Sequence, residues 1–234
     1  MGVVFWDFDG TLAWREGMWR SALIQALDEV CAGHRVTPEA IRPGLVDGFL
    51  WHRADQPHHH LNIPERWWQA LGPLFVRAYE QAGVDHHTAL AAAAQVPRVY
   101  VDPRHWAVFD DTKPTLTRLR EAGWRHIIVS NHVPELPQLV QDLGLAEFID
   151  EVLTSATTGY EKPHPQVFAI ALARAGSPTK TWMVGDSPTA DIDGAEQAGI
   201  PALLVRKPAN DATPNPDLIW AAGVILDSNA AARR

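Results

Sequence analysis

Short runs rich in Val, Ile and Leu recur along this chain with helix-like segments between them: residues 3–7, His126–Ser130, Glu151–Ser155, Trp182–Gly185, Ala202–Val205 and Val224–Leu226. Such alternation predicts an α/β fold, a parallel sheet whose strands are covered by helices. Gly123, Gly144, Gly176 and Gly199 stand just before the next strand or loop, where helices end in a left-handed residue.

The interval between the first two runs breaks this rhythm. It exceeds 100 residues, contains no convincing strand, and is too long for a plain crossover. Trp19, Leu23, Leu27 and Val30 form one apolar face, and Trp67, Leu71, Leu74 and Ala78 another at helical spacing. Thr37-Pro38-Glu39 reads as a helix start, a capping hydroxyl followed by proline. These features place a helical insert at residues 15–102, with hinges near Trp14–Gly17 and Pro97–Arg104, and leave 1–14 and 103–234 for the α/β core.

Hydrophobic residues at 46% and charged residues at 21% fit an ordinary globular protein. The net charge of -8 argues against a nucleic-acid surface, which needs clustered Lys and Arg, and favours a small-molecule partner. No apolar run approaches the roughly 20 residues of a bilayer span, so no membrane partner is expected. Cys31 is the sole cysteine, so no intrachain disulfide can form. With a strand-like opening in place of a leader, this suggests a soluble, cytoplasmic protein, a monomer or homodimer.

Four polar clusters fall at or after the ends of expected strands, where open α/β sheets bind ligands. They are Asp7-Phe8-Asp9-Gly10-Thr11, Ser130-Asn131, Lys162-Pro163, and Gly185-Asp186-Ser187 with Asp191 downstream. Carboxylates about 4 Å apart repel by roughly 4 kcal/mol even at an effective dielectric near 20. A strand that ends in paired acids therefore calls for cations, which Lys162 and a hydrated divalent metal can supply.

In order and setting these clusters resemble the four motifs of the haloacid dehalogenase (HAD) superfamily of phosphohydrolases, as DFDGT, SN, KP and GDSPTAD. The resemblance covers nearly the whole chain, including the insert, which matches the family's helical cap. It implies a Rossmann-like parallel sheet of strand order 5-4-1-2-3 with helices on both faces. It further implies a Mg²⁺-dependent phosphatase acting on a small phosphorylated metabolite. On that basis Asp7 is the nucleophile and Asp9 the general acid and base. Asp7, Asp9 (through its carbonyl) and Asp186 are implied metal ligands, with Asp191 behind the metal or orienting Lys162. Thr11, Ser130, Asn131 and Lys162 are implied phosphate-binding residues, Lys162 also acting in catalysis.

A sugar-phosphate mutase keeps the same acid pair, whereas a metal-independent 2-haloacid dehalogenase typically lacks the second acid. The intact Asp7, Asp9, Lys162 and Asp186 disfavour a non-enzymatic phosphometabolite-binding protein. The insert carries no lysine, against Schiff-base phosphonatase chemistry. His58-His59-His60 reads as a loop between helices, because three consecutive side chains cannot converge on one point of regular structure. Arg35, Arg53 and that loop are candidates for substrate specificity. Trp14 suits packing at the hinge better than narrowing of the entrance.

Overall fold

The computed structural model describes residues 2–207 and 215–231. In chain order the strands are β1 (Gly2–Trp6), β2 (Ala13–Arg15), β3 (Trp106–Val108), β4 (Trp124–Ser130), β5 (Glu151–Thr154), β6 (Thr181–Gly185) and β7 (Ala202–Leu204). Five of them form one parallel sheet in the order β5-β4-β1-β6-β7. Counted along the chain this is 3-2-1-4-5, the expected 5-4-1-2-3 seen from the opposite edge.

Side chains of a strand alternate between faces, and here both faces are dry. Val4 and Trp6 share one core with Leu116 and Leu119 of the Thr112–Glu121 helix and Ile225 of the Leu218–Ala231 helix. Val3 and Phe5 share the other with Val167, Phe168 and Ala171 of the Pro165–Arg174 helix. Helices therefore cover both faces, and β1 is apolar throughout because it is the middle strand. Gly123 and Gly199 end their helices at φ 88° and 75°.

Val224–Leu226, expected as a sixth strand, instead lies within the Leu218–Ala231 helix. Leu218, Ala221, Ala222 and Ile225 are fully buried at helical spacing, and Asp217 accepts the Trp220 N–H at 2.7 Å as a cap. Three apolar residues fit either period; the cap and the alanine pair decide for helix.

The long interval is mainly helical, with helices Met18–Val30, Pro64–Gln81, His86–Ala93 and Val96–Tyr100. Trp67, Leu71, Leu74 and Ala78 are all buried, whereas in the first stripe Val30 is exposed. The Tyr79 hydroxyl donates to the Leu23 carbonyl at 2.6 Å, tying the two long helices. Thr37 caps Pro38–Ile41, accepting the Ala40 N–H.

Two strands do occur in this interval. β2 and β3 pair antiparallel, Ala13 with Val108 and Arg15 with Trp106, so the chain leaves and re-enters the α/β region through one short ladder. Three-residue strands give too little alternation to stand out in sequence.

Candidate active site

Asp7 and Asp9 follow β1 because its carboxyl end has parallel neighbours on both sides, and the Asp7 N–H still donates to the Val184 carbonyl of β6 at 2.9 Å. Beyond it the chain reverses tightly, with the Phe8 carbonyl accepting from the N–H groups of Thr11, Leu12 and Ala13. Gly10 is required twice in this turn. Its φ is 76°, and a Cβ there would stand 2.8 Å from Asp186 Oδ2.

Ser130 is the last residue of β4 and Asp186 follows β6, so the topology delivers both to Asp7. Ser130 Oγ donates to Asp7 Oδ1 at 2.8 Å, and Lys162 Nζ reaches the same oxygen at 2.8 Å. Lys162 also contacts Asp191 Oδ1 at 2.5 Å, and Asp191 Oδ2 accepts the Ser187 N–H at 2.9 Å. Burial pulls the Lys162 ammonium down, but Asp191 and Asp7 outweigh it and raise it above its ordinary value. Burial also pushes Asp191 up against the pull of Lys162. Its short contact with Nζ and the Ser187 N–H both favour the charged carboxylate against that burial.

Asn131 grips Lys162 by its backbone. Its Oδ1 accepts the Lys162 N–H at 2.6 Å and its Nδ2 donates to the Lys162 carbonyl at 2.9 Å. Ser187 Oγ accepts the Ala190 N–H and shapes the turn that carries Asp191.

Asp9 occupies a different electrostatic setting from Asp7. About a fifth of its side chain (22%) stays accessible, while Oδ1 is enclosed without a hydrogen-bond partner. Burial, then the charges of Asp7 and Asp186, push its carboxyl well above the usual range, with Lys162 opposing. His132 Nε2 stands 3.5 Å from Oδ1, and burial lowers that imidazole to about 4. Because His132 Nδ1 faces the Val133 carbonyl, the neutral ring carries its proton there and turns an acceptor toward Asp9. A protonated Asp9 is the complementary partner.

Asp186 is raised by burial and by Asp7, against Lys207, whose Nζ lies 3.1 Å from Oδ2. The cluster is thus short of positive charge. Oxygens of Asp7, Asp186 and Asp191 lie within 4.8 Å of one another, a hard, anionic donor set that suits a divalent cation. Both Asp191 oxygens are already engaged, which leaves Asp7 and Asp186 as the carboxylates available to a metal.

Asp7, Asp9, Ser130, Asn131, Lys162, Asp186 and Asp191 line one cavity of about 480 Å³. Thr11 does not: it is fully buried, and its hydroxyl has no partner. Trp14 pairs with Ala107 in the β2–β3 ladder and stands near Phe109, outside the cavity lining. Arg35 and Arg53 are exposed and do not line it either. The histidine loop docks on the α/β region, with buried His58 Nε2 3.1 Å from Glu161 and the His59 ring edge-on to Tyr160 at 4.7 Å. His132 and Lys207 were not among the expected residues. His132 stands beside Ser130-Asn131 and could have been suspected, while Lys207 carries no motif.

Chemically, the site offers a held carboxylate, a second carboxyl biased toward its protonated state, and a buried ammonium. Residues 1–199 match the haloacid dehalogenase-like hydrolase family. The chain is 30% identical over 181 residues to the human haloacid dehalogenase-like hydrolase domain-containing protein 3, covering 75% of this chain and 71% of that one. In the Bos taurus counterpart the matched part spans 57% of that protein's length. It is 29% identical over 185 residues to the phosphoserine phosphatase of Thermus thermophilus, covering 77% and 72%. The solved HAD-hydrolase YfnB of Bacillus subtilis shares the fold, with a TM-score of 0.69 at 20% identity over 96% of this chain and 98% of that one.

Proposed function

We propose, on the premise that this chain belongs to the haloacid dehalogenase-like hydrolases, that it removes phosphate from a small phosphomonoester through an aspartyl-phosphate on Asp7. The observation that carries this reading is the unequal surroundings of two acids two residues apart. Asp7 is held by Lys162 and Ser130, while Asp9 is pushed toward its protonated form. That is the division of labour a two-step displacement needs.

An Asp7 oxygen attacks phosphorus, and the bond from phosphorus to the ester oxygen breaks as Asp9 gives its proton to the departing oxygen. Asp9, now a carboxylate, takes a proton from water. The resulting hydroxide attacks phosphorus, and phosphate leaves with Asp7 regenerated. Lys162 and the Ser130 hydroxyl offset negative charge on Asp7 and on the phosphoryl oxygens. Asp191 holds Lys162 in place, and Asn131 fixes its backbone. Mg²⁺, held by Asp7, Asp186 and the Asp9 carbonyl, would supply neutralising charge at the phosphoryl group.

We read residues 15–102 as a cap that shields the intermediate from bulk water, on the support of Met18, Trp19 and Trp51 in the cavity lining. A dehalogenase has no use for a proton donor at Asp9. The names of similar proteins, a phosphoserine phosphatase and a glyceraldehyde 3-phosphate phosphatase among them, support a small metabolite as substrate, and we propose the cytoplasm as the location.

The test is phosphate release from a panel of phosphomonoesters, with Mg²⁺ and with EDTA, using Asp7→Asn as the control for contamination. Release that needs the metal and vanishes in the variant is expected. A folded protein that releases nothing, or an Asp7→Asn variant of near-normal activity, sinks the reading.

A further inference from the structure

The upper lining of the cavity is aromatic and uncharged. Met18, Trp19, Trp51 and Pro163 contribute to it with Ala190, beside the hydroxyls of Ser187 and Thr189. Among the described residues, Lys162 is the only cation in the lining, and its ammonium is committed to Asp7 and Asp191. Arg20 and Arg42 line a neighbouring cavity on the other side of the wall that Met18, Trp19 and Trp51 share between the two, and neither lines this one.

The two indoles are held rigidly. Trp19 stacks on Tyr100 with ring centres 3.8 Å apart and planes 10° from parallel, and Trp51 stacks on Phe49 at 4.1 Å and 10°. Trp19 and Met18 enter the site through consecutive left-handed residues, Gly17 at φ 64° and Met18 at φ 47°. A non-glycine residue seldom adopts that conformation, and such strain collects where a side chain must be aimed at a ligand. A wall fixed in advance binds a flat partner without first being ordered.

Resting on the phosphatase reading above, we propose that the alcohol released is uncharged and carries an aromatic or flat apolar face next to its ester carbon, which stacks on Trp19 and Trp51. A carboxylate at that place would find no unpaired cation among the described lining residues, because Lys162 is already engaged by Asp7 and Asp191. A polyol would find few partners, since beside this apolar wall the lining offers the hydroxyls of Ser187 and Thr189 alone, and unpaired hydroxyls are costly to enclose.

Benzyl phosphate, ethyl phosphate and phosphoglycolate test this, because each releases an aliphatic alcohol and differs in what lies beyond the ester carbon. With Mg²⁺, kcat/KM for benzyl phosphate is expected to exceed that for ethyl phosphate by about tenfold or more, with phosphoglycolate lowest. Trp51→Ala should bring the benzyl-to-ethyl ratio close to unity, and Trp51→Phe should keep most of it. A wild-type ratio near unity, or a preference for phosphoglycolate, overturns the inference and leaves the phosphatase reading standing; the wild-type comparison decides this even if Trp51→Ala does not fold. No Asp7-dependent release from any of the three, nor from the wider panel, would bring down the phosphatase reading and this inference with it.

Discussion

Asn131 and Lys162 are joined by a reciprocal pair of hydrogen bonds, the Asn131 amide meeting both the N–H and the carbonyl of Lys162 at 2.6 and 2.9 Å. A side chain so engaged positions the lysine, with Oδ1 and one of the two Nδ2 hydrogens committed to that backbone and the second hydrogen left for phosphate. Asn131→Ala should therefore lower kcat by about 10- to 100-fold, the range for lost supporting contacts, with a small change in KM. Steady-state kinetics distinguish the roles: a raised KM at unchanged kcat would mean that Asn131 binds substrate directly.

Metal binding should be visible without catalysis. A cation that binds only the folded protein stabilises it by about 2.7 kcal/mol at 100 times its Kd, so Mg²⁺ should raise the thermal midpoint. Burial and Asp7 both work against charge on Asp186. Asp186→Asn should accordingly be more stable than wild type in EDTA and gain much less from Mg²⁺. Equal Mg²⁺ shifts in the two proteins, followed by thermal melting, would remove Asp186 from the metal site.

The acids of the site were legible because each ends or follows a strand whose pattern is plain, and the family resemblance supplied the strand order that brings them together. What sequence left dark was set by contacts across the chain. His132 meets Asp9 only because Phe8, Tyr100 and Trp106 pack around its ring. Lys207 reaches Asp186 from the segment after β7, with no local pattern to announce it. Val224–Leu226 misled because a three-residue apolar run has no period of its own.

The docking of the histidine loop has an energetic consequence. Glu161 is fully buried beside Lys162, and neither of its oxygens has a hydrogen bond of good geometry; His58 Nε2, at 3.1 Å, is the polar group facing it. His58→Ala would leave that carboxyl enclosed and unaccompanied, at a cost of about 1–3 kcal/mol. Glu161→Gln, which keeps a polar partner for the imidazole, should cost less. Urea denaturation of the two variants checks the order; negligible loss in His58→Ala would show that the loop does not support the α/β region.

A second buried imidazole gives stability a pH dependence of known sign. His126 accepts the Trp6 indole N–H at Nδ1 and faces the Leu116 carbonyl with Nε2, both at 3.0 Å. The neutral tautomer with its proton on Nε2 satisfies both contacts, and a second proton on Nδ1 would oppose the indole N–H. Burial lowers the ring to about 4 from an ordinary 6.5. The unfolded chain thus takes up a proton below 6.5 that the folded protein refuses until about 4, and folding loses up to about 1.4 kcal/mol per pH unit in between. The raised acids of the active site act in the opposite sense, since they gain protons in the folded state first. The wild-type slope mixes the two, but the difference between wild type and His126→Asn isolates the imidazole. Urea denaturation from pH 7.5 to 4.5 should show that difference shrinking as the pH falls; a difference constant across the range would mean that His126 titrates alike in both states.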